Sequence, residues 1–554
     1  MTSIDEDPFF HRREIRDLIV EIAQLQRICI YGGAGITINR STLSWATMVD
    51  TILAPNVRDD KLRYLIIRKL GNLQAASIAA QLFEDSVEYG QTGNYARDRM
   101  VDMLRYRIYS RGSWVDGRLA QNIAYLAYSM VSYRNDRSVC LVTPNYDDYL
   151  FEALEEIRQN DKVIARQPVA KRPVPIHHPT TSDPLSDKNS TTPAGWLRRV
   201  NSKFFSPGSL NLVHLHGRIA AHPDELERYP VVSEADYTTT ADITERALCE
   251  LLRRSSALFV GTSMMDSPLV NALRSTRSLG FQRYALVCTQ DKPELKDREY
   301  RRLATKRFDQ LDVVPIYHDY YIHSAQFLEE VRTAALLPDP NEYKEHAASM
   351  RYGSRLTKWW SGWDLRNKDG MEGHQRACHE LLRLGLDIVR LTLRAPSSEA
   401  LKIEMWIRWK PNEKRTMQLW ATSTGPWLDP YSMREAVIPT DDEYISVMAF
   451  RNGHPTRWPP PHSPIQKGRW KSFLSIPIWY DEQKQGEVPV GVITLASSRS
   501  GSDGSLSSDA SQTKLSACMP RLRTVAKGII EPLRAADDHF SRPIDEAIAE
   551  LNHP

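Results

Sequence analysis

Short apolar runs alternate with helix-like segments over the first part of the chain. Apolar residues recur near the helical period over 12–26, and the run Ile28–Tyr31 that follows ends in glycines. Helix-like segments at 242–254 and 266–277 separate later runs. Those further strand-like runs lie at 138–143, 211–215, 257–261, 284–288 and 312–317. Short β-branched runs alternating with helices predict an α/β fold with a Rossmann-like parallel sheet.

Two segments interrupt this alternation. Residues 45–132 are almost continuously helix-like and predict a helical insertion, whereas 165–208 are rich in Pro, Ser, Thr and Asp and predict a long surface loop. A second Pro- and Gly-containing break covers 336–372. We therefore expect a first domain over 10–335, followed by a linker over 336–372.

Beyond the linker the pattern changes to strands flanked by helices. Helix-like segments open and close this part at 373–394 and 512–534, and a third covers 436–453. Strand-like runs lie between them at 401–409, 416–422, 471–479 and 488–497. This order predicts an α+β domain with antiparallel strands over 373–540.

Composition excludes several classes of protein. The 554 residues are 41% apolar and 25% charged, as in globular chains, and allow about two to four domains. No run approaches the length of a membrane-spanning helix, and the N-terminus lacks a signal-peptide core. A formal net charge of +3 gives no argument for nucleic acid or an anionic membrane as a partner.

The six cysteines contain no C-x-x-C pair, which argues against a zinc module. Cys29, Cys140 and Cys288 stand in apolar runs and predict buried thiols. With no export signal, we expect a reducing, cytoplasmic compartment.

Gly33-Ala34-Gly35 follows the first strand and precedes a helix-prone segment that includes Thr37. Glycine at this point lets the backbone approach a pyrophosphate. The third glycine of a dinucleotide fingerprint is absent, since Ile38 takes its place. An ordinary glycine turn explains the motif equally well.

Polar residues also follow later strands. Thr143-Pro144-Asn145-Tyr146-Asp147 ends the second run, where Asn and Asp would equally cap the next helix. His214 and His216 share one face of the next strand. A metal site there would need a third ligand, and none is evident. His216 can be either a general base or a structural histidine. Gly261-Thr262-Ser263 ends the following run, as a ribose contact or a plain turn leading to Asp266.

Together, these four motifs resemble the sirtuin-like NAD-binding family over about residues 10–325. That pattern has a GAG loop, then T-x-N-x-D, then H-G, then G-T-S. The resemblance implies that Gly33, Ala34, Gly35 and Thr37 hold the pyrophosphate side of NAD. It further implies that Asn145 orients the nicotinamide ribose or the attacking water, that Asp147 helps to shape the nicotinamide end, and that His216 is the general base. On the adenine side, it implies that Gly261, Thr262 and Ser263 contact the ribose. Asp266 would support the wall of the pocket.

The chain departs from the protein-deacylating sirtuins. It lacks their four zinc-binding cysteines, and Ser44-Trp45 stands where they carry an Asp-Phe-Arg segment. It resembles the divergent, zinc-free sirtuin-like domains of bacterial defence proteins, which cleave NAD to nicotinamide and ADP-ribose. This resemblance implies an NAD hydrolase with NAD as substrate and no metal, in antiphage defence.

Residues 373–535 resemble a GAF-type sensor domain. The resemblance rests on Arg469–Ile478 followed by Val488–Leu495, with a strand pair of S-x-P and G-V-I-x-L character. It implies a small-molecule or protein trigger, and we expect a homo-oligomer as the active assembly. The many tryptophans of this part suit either a core or a ligand pocket.

Two other functions remain open at this stage. The fold could bind NAD or ADP-ribose without cleaving it and report to a partner. Alternatively, it could transfer ADP-ribose to a protein or deacylate one, which the lack of zinc-ligand pairs disfavours.

Overall fold

The computed structural model describes a defined part of the chain. The described residues are 9–10, 12–41, 44–86, 93–109, 118–134, 136–159, 176–177, 205–221, 230–290, 292–343, 368–408, 416–424, 434–438, 444–458, 469–479, 489–499, 504–506, 512–535, 547 and 549. Most of the predicted loop over 165–208 and of the predicted linker over 336–372 lies outside them.

The described N-terminal region, residues 9–343, is built on a seven-stranded parallel sheet. Its strands are β1 Arg27–Gly32, β2 Ser138–Thr143, β3 Ile176–His177, β4 Leu210–His214, β5 Ser256–Val260, β6 Arg283–Cys288 and β7 Val314–His318. Their order across the sheet is β3-β4-β2-β1-β5-β6-β7. Cys29 of the central strand pairs with Cys140 on one side and Ala257 on the other. The predicted parallel α/β arrangement is confirmed, and β3 adds a short strand within the segment predicted as loop.

Helices cover both faces of this sheet and also form an insertion at its edge. They are α1 Arg13–Gln24, α2 Ile38–Ser41, α3 Trp45–Leu53, α4 Asp60–Leu70, α5 Asn72–Asp85, α6 Gly93–Tyr109, α7 Arg118–Tyr133, α8 Tyr149–Gln159, α9 Glu234–Leu252, α10 Ser267–Ser275, α11 Arg298–Asp309 and α12 Tyr321–Leu336. The helix predicted over 242–254 begins earlier because Ser233 and Asp236 form a capping box at its start.

The alternation of side chains along β1 divides the core into two clusters. Ile28 and Ile30 join the cluster formed with α1, α7 and α12. Cys29 and Tyr31 point to the opposite face and join the cluster formed with α9 and α10. Burial raises the pKa of the Cys29 thiol to about 12. The prediction of a buried Cys288 was wrong: β6 emerges from the core at its end, and this thiol is only half-buried.

Within the predicted helical insertion over 45–132, α3 to α6 form a separate group, whereas α7 at its end packs against the sheet, so the predicted end was too late. Helices α3 to α6 pack on each other through their own apolar cluster, which also takes in Tyr149 and Val232 from the sheet region. The insertion therefore rests on the edge of the sheet at which the strands end.

The described C-terminal region, residues 368–549, contains a six-stranded antiparallel sheet. Its strands are β8 Leu401–Ile407, β9 Thr416–Thr422, β10 Glu435–Val437, β11 Thr456–Trp458, β12 Ser472–Ile478 and β13 Gly491–Ser497, in the order β10-β9-β8-β13-β12-β11. Its helices are α13 Lys368–Leu393, α14 Ile445–Asn452 and α15 Gln512–Ala535. Trp406 and Trp420 lie in its apolar clusters.

The helix-like prediction over 436–453 was wrong at its start. Residues Glu435–Val437 pair with β9 instead, and the helix begins only at Ile445. The short strand β11 was not predicted.

The two regions touch along α7 and α12. The Arg118 guanidinium lies 3.4 Å from the centre of the Trp479 ring. Ile322 packs against Gly453, and the Gln290 amide donates to the Asn452 side chain over 2.6 Å. Within the described residues, we find no helix that combines the length and the apolar character needed to cross a membrane.

Candidate active site

A cavity of about 540 Å³ opens where β1, β2, β4 and β5 end. Ligand sites of parallel sheets lie at this edge, and the volume falls in the range of small-molecule pockets. Every predicted site residue except Gly35 lines it. The lining residues are Tyr31, Gly33, Ala34, Thr37, Ser41, Ser44, Trp45, Met48, Leu73, Ile108, Pro144, Asn145, Tyr146, Asp147, His216, Val231, Tyr237, Gly261, Thr262, Ser263 and Asp266.

The glycines of the first and last motifs let two loops cross in close contact. The Gly33 amide donates to the Val260 carbonyl over 2.9 Å, and the Gly35 amide to the Gly261 carbonyl over 2.8 Å. A Cβ on Gly33 would lie 2.6 Å from the Gly261 oxygen, and Gly261 itself has φ +62°. The close packing of the two loops is therefore enough to require glycine here, whether or not a ligand binds.

This crossing limits which amides can reach a phosphate. The amides of Gly33 and Gly35 are used by the protein, and those of Ile36 and Thr37 donate within the turn. The Ala34 amide donates to none of the described residues. A pyrophosphate contact from this loop therefore falls to Ala34 among these amides, and the assigned role of the loop stays a prediction.

Asn145, Thr37 and Asp147 form one hydrogen-bonded chain. The Asn145 Nδ2 donates to Thr37 Oγ1 over 2.9 Å and to the Gly33 carbonyl over 3.2 Å. The Thr37 hydroxyl donates in turn to Asp147 Oδ2 over 2.8 Å. Both amide protons of Asn145 are thereby engaged, so the atom it offers to a ligand is the acceptor Oδ1.

The backbone around Asn145 is held from two sides. Its carbonyl meets His214 Nδ1 at 3.0 Å, and its amide donates to Thr143 Oγ1. His214 is thus a structural histidine behind the site. Below it, the buried Arg218 and Asp148 form a bidentate ion pair with distances of 2.5 and 2.6 Å.

Asp147 both caps a helix and lines the cavity. Its Oδ1 accepts from the Tyr149 amide over 3.3 Å at the start of α8, as the capping interpretation anticipated. It also lines the cavity. Burial raises the pKa of Asp147 from 3.8 to about 6, against the hydrogen bonds from Thr37 and Tyr149 that lower it.

We expect the Asp147→Asn variant to gain stability relative to the parent between about pH 4 and pH 6. The raised pKa means that folded protein holds a proton that unfolded protein releases, so the parent loses stability as pH rises through this window. Above pH 6, the raised pKa costs the parent about 3 kcal/mol of unfolding free energy relative to the variant. Urea unfolding of both proteins at pH 4 to 7 measures it. A difference in unfolding free energy between the two proteins that does not vary with pH contradicts the raised pKa of Asp147.

The far wall of the cavity is formed by His216, Tyr237, Asp266 and Tyr31. His216 is 9% exposed, and its ring centre lies 5.8 Å from that of Tyr237. The Tyr237 hydroxyl donates to Asp266 Oδ1 over 2.7 Å. Burial lowers the pKa of His216, and the charge of Asp266 opposes that effect. His216 is therefore neutral near pH 7 and able to accept a proton.

Three buried polar atoms of this wall have no hydrogen-bond partner among the described residues. They are Tyr31 Oη, His216 Nδ1 and Asp266 Oδ2. Unpaired buried polar atoms are costly, so in a functional protein they commonly meet a ligand or an ordered water. This wall suits a polar ligand that can donate and accept hydrogen bonds.

Sequence reasoning missed the apolar residues that cover the cavity, here called the roof, and the cavity-lining tyrosines Tyr31 and Tyr237. The roof comes from the insertion, through Trp45, Met48, Leu73 and Ile108. No arginine or lysine of the described ranges lines the cavity. In the same ranges, no three His, Cys, Asp or Glu side chains are close enough to hold a metal ion.

A comparison with protein families extends the picture. The model of the SIR2-like domain matches residues 139–311, roughly a third of the chain. The match runs from β2 to just beyond α11, and it includes Asn145, Asp147, His216 and Gly261 but not the Gly33 loop. This part of the chain is similar to SIR2-like domains, which is consistent with NAD-related activity. A search of curated proteins found no match.

Proposed function

We propose that this protein is an NAD hydrolase that cleaves NAD to nicotinamide and ADP-ribose. One observation carries the proposal: Asn145 and His216, from the ends of β2 and β4, line a single cavity together with the glycine crossing. The similarity to SIR2-like domains over 139–311 supports NAD as the substrate.

The reaction breaks the bond between the nicotinamide nitrogen and the anomeric carbon of its ribose. The bonding electrons leave with nicotinamide, which becomes neutral, while positive charge develops on the ribose. A water oxygen then bonds to the anomeric carbon and gives up a proton. Because nicotinamide is a good leaving group, the protein must chiefly position the substrate and accept this proton.

His216 and Asn145 divide this work. The lowered pKa of His216 keeps its ring neutral near pH 7, so it accepts the proton from water. Asn145 Oδ1 accepts a hydrogen bond from the same water or from a ribose hydroxyl, since its Nδ2 is held by Thr37 and Gly33. The amide is pre-oriented for this role.

The roof residues exclude bulk water. Trp45 and Met48 of α3 stand with Leu73 of α5 and Ile108 of α6 over the polar floor. Such an apolar cover restricts the reaction to a positioned water and strengthens the electrostatic effects beneath it.

Product analysis tests this function. Purified full-length protein is incubated with NAD, with and without extract of phage-infected cells, and products are identified by mass spectrometry. Equimolar nicotinamide and ADP-ribose support hydrolysis. Saturable binding with intact NAD indicates a binding module instead, and an ADP-ribosylated or deacylated protein indicates a transferase or deacylase.

We further propose that the C-terminal region is a GAF-like sensor that holds the hydrolase inactive until a trigger arrives in antiphage defence, with a homo-oligomer as the active form. A toxic activity needs such a restraint, and a sensor provides it only through different affinities for the two states. The contact of Arg118 with Trp479 and that of Ile322 with Gly453 are candidates for transmitting the signal.

Under this proposal the Trp479→Ala variant has a higher basal rate of nicotinamide release than the parent, by about fivefold or more. The substitution removes the cation–π contact with Arg118, worth roughly 1–2 kcal/mol in a desolvated setting, and so weakens the restraint. The matched control is Trp470→Ala, whose ring meets Lys402 and Arg469 of its own region. Equal basal rates in both variants and the parent argue against restraint through this contact.

A further inference from the structure

The side chains beside His216 form a small, partly buried network that has no role in the proposed reaction so far described for His216 and Asn145. Tyr237 lies on α9, and Asp266 precedes α10, so the two come from different elements and meet only through the fold. Their hydrogen bond is 2.7 Å long, and the Tyr237 ring also packs against the His216 ring at 5.8 Å. Tyr237 thus touches both the carboxylate and the imidazole.

The unpartnered atoms of this wall are complementary. Asp266 Oδ1 is occupied by Tyr237, whereas Oδ2 is buried and accepts from none of the described residues. His216 Nδ1 is likewise buried without such a partner. A carboxylate oxygen accepts, and a ring nitrogen carrying a proton donates. The two atoms are not hydrogen-bonded to each other in this structure, but they are of complementary type.

We propose that Asp266, held by Tyr237, is a positioning residue whose negative charge favours the proton of neutral His216 on the buried Nδ1 and leaves Nε2 as the base. A carboxylate behind a histidine fixes both the tautomer and the ring orientation, and it stabilises the imidazolium formed when the base accepts a proton. Tyr237 fixes the carboxylate by occupying its other oxygen. The inference rests on the proposed function, in which His216 is the base.

Other charged groups around His216 are engaged elsewhere. On the surrounding elements, Asp148 forms an ion pair with Arg218, and Asp236 forms one with Arg97. Asp147 accepts a hydrogen bond from Thr37, and His214 contacts the Asn145 carbonyl. Tyr31 Oη is the remaining titratable group of this wall, and burial raises its pKa well above the usual value. Asp266 is therefore the anion that acts on His216.

The test follows the titration of His216 itself by NMR of protein with labelled histidine. The His216 signal is identified by its loss in His216→Gln. We expect Asp266→Asn to lower the pKa of His216 by about one unit or more, because it removes the nearby negative charge but keeps an acceptor for Tyr237. The same shift should appear in the acid limb of the pH profile of NAD cleavage.

A double-mutant cycle tests the place of Tyr237. We expect Tyr237→Phe to change the pKa of His216 in the parent but not in the Asp266→Asn background, since Tyr237 acts through that carboxylate. Tyr146→Phe is the matched control: Tyr146 lines the same cavity, but its hydroxyl donates to the Val231 carbonyl, and we expect no shift in the pKa of His216.

The outcomes separate this inference from the proposed function. An unchanged His216 titration in Asp266→Asn, or equal effects of Tyr237→Phe in both backgrounds, overturns the positioning role even if NAD is cleaved. The expected shifts in a protein that never cleaves NAD support the His216–Asp266–Tyr237 network and refute the hydrolase. Thermal unfolding of each variant confirms that the fold is kept.

Discussion

His216→Asn is expected to lower the rate of NAD cleavage by roughly 10²–10⁴-fold, the usual cost of removing a general base. The substitution leaves a polar side chain of smaller size at the cavity wall, and its backbone contact with Val231 does not depend on the side chain. Affinity for NAD should therefore change by only a few-fold. Single-turnover nicotinamide release and equilibrium NAD binding measure the two effects separately.

A control histidine distinguishes this loss from a general effect. His379 lies on α13 of the C-terminal region and contacts the Thr422 carbonyl, outside the cavity. His379→Asn should retain the parental rate. If His216→Asn also retained it, His216 would not be the base.

Gly261→Ala is expected to destabilise the protein by about 2–4 kcal/mol and to abolish NAD binding. The residue has φ +62°, which costs a side chain about 1 kcal/mol or more, and the new Cβ would lie 2.7 Å from the Ile36 amide nitrogen. The crossing of the two loops would have to open. Urea unfolding measures the free energy, and calorimetry measures binding.

Gly280→Ala isolates the contribution of backbone strain. Gly280 has φ +81°, but a Cβ there meets nothing within 4 Å. We expect a loss of about 1 kcal/mol and unchanged NAD binding. Equal losses at both positions would mean that the loop crossing does not depend on close contact.

The sheet and its site edge were predictable because the strands are buried on both faces. A strand such as β2 reads as an unbroken apolar run, and its polar residues begin where it ends. Asn145, His216 and Gly261 could therefore be placed at one edge before any coordinates were known. The roles assigned to them remain predictions.

Tyr237 was missed because the start of its helix carries no apolar pattern. The first turns of α9 contain Thr238 and Thr239, whose hydroxyls donate to carbonyls one turn earlier. Such threonines look unlike a helix in sequence. The capping pair of Ser233 and Asp236 was the sign that the helix begins earlier.

The role of Gly33 and the strand β10 depend on tertiary contacts. Whether a glycine serves a ligand or a neighbouring loop cannot be read locally, and the nearness of Gly261 emerges only in the fold. Likewise, three residues from Glu435 form a strand because β9 offers a pairing edge.

The most direct test of the whole account is a structure of the protein bound to an unreactive NAD analogue. We expect one dinucleotide in the cavity at the ends of β1, β2, β4 and β5, with its nicotinamide-side ribose within hydrogen-bonding distance of Asn145 and His216. A dinucleotide bound elsewhere, or one whose nicotinamide end lies away from both side chains, would contradict this expectation.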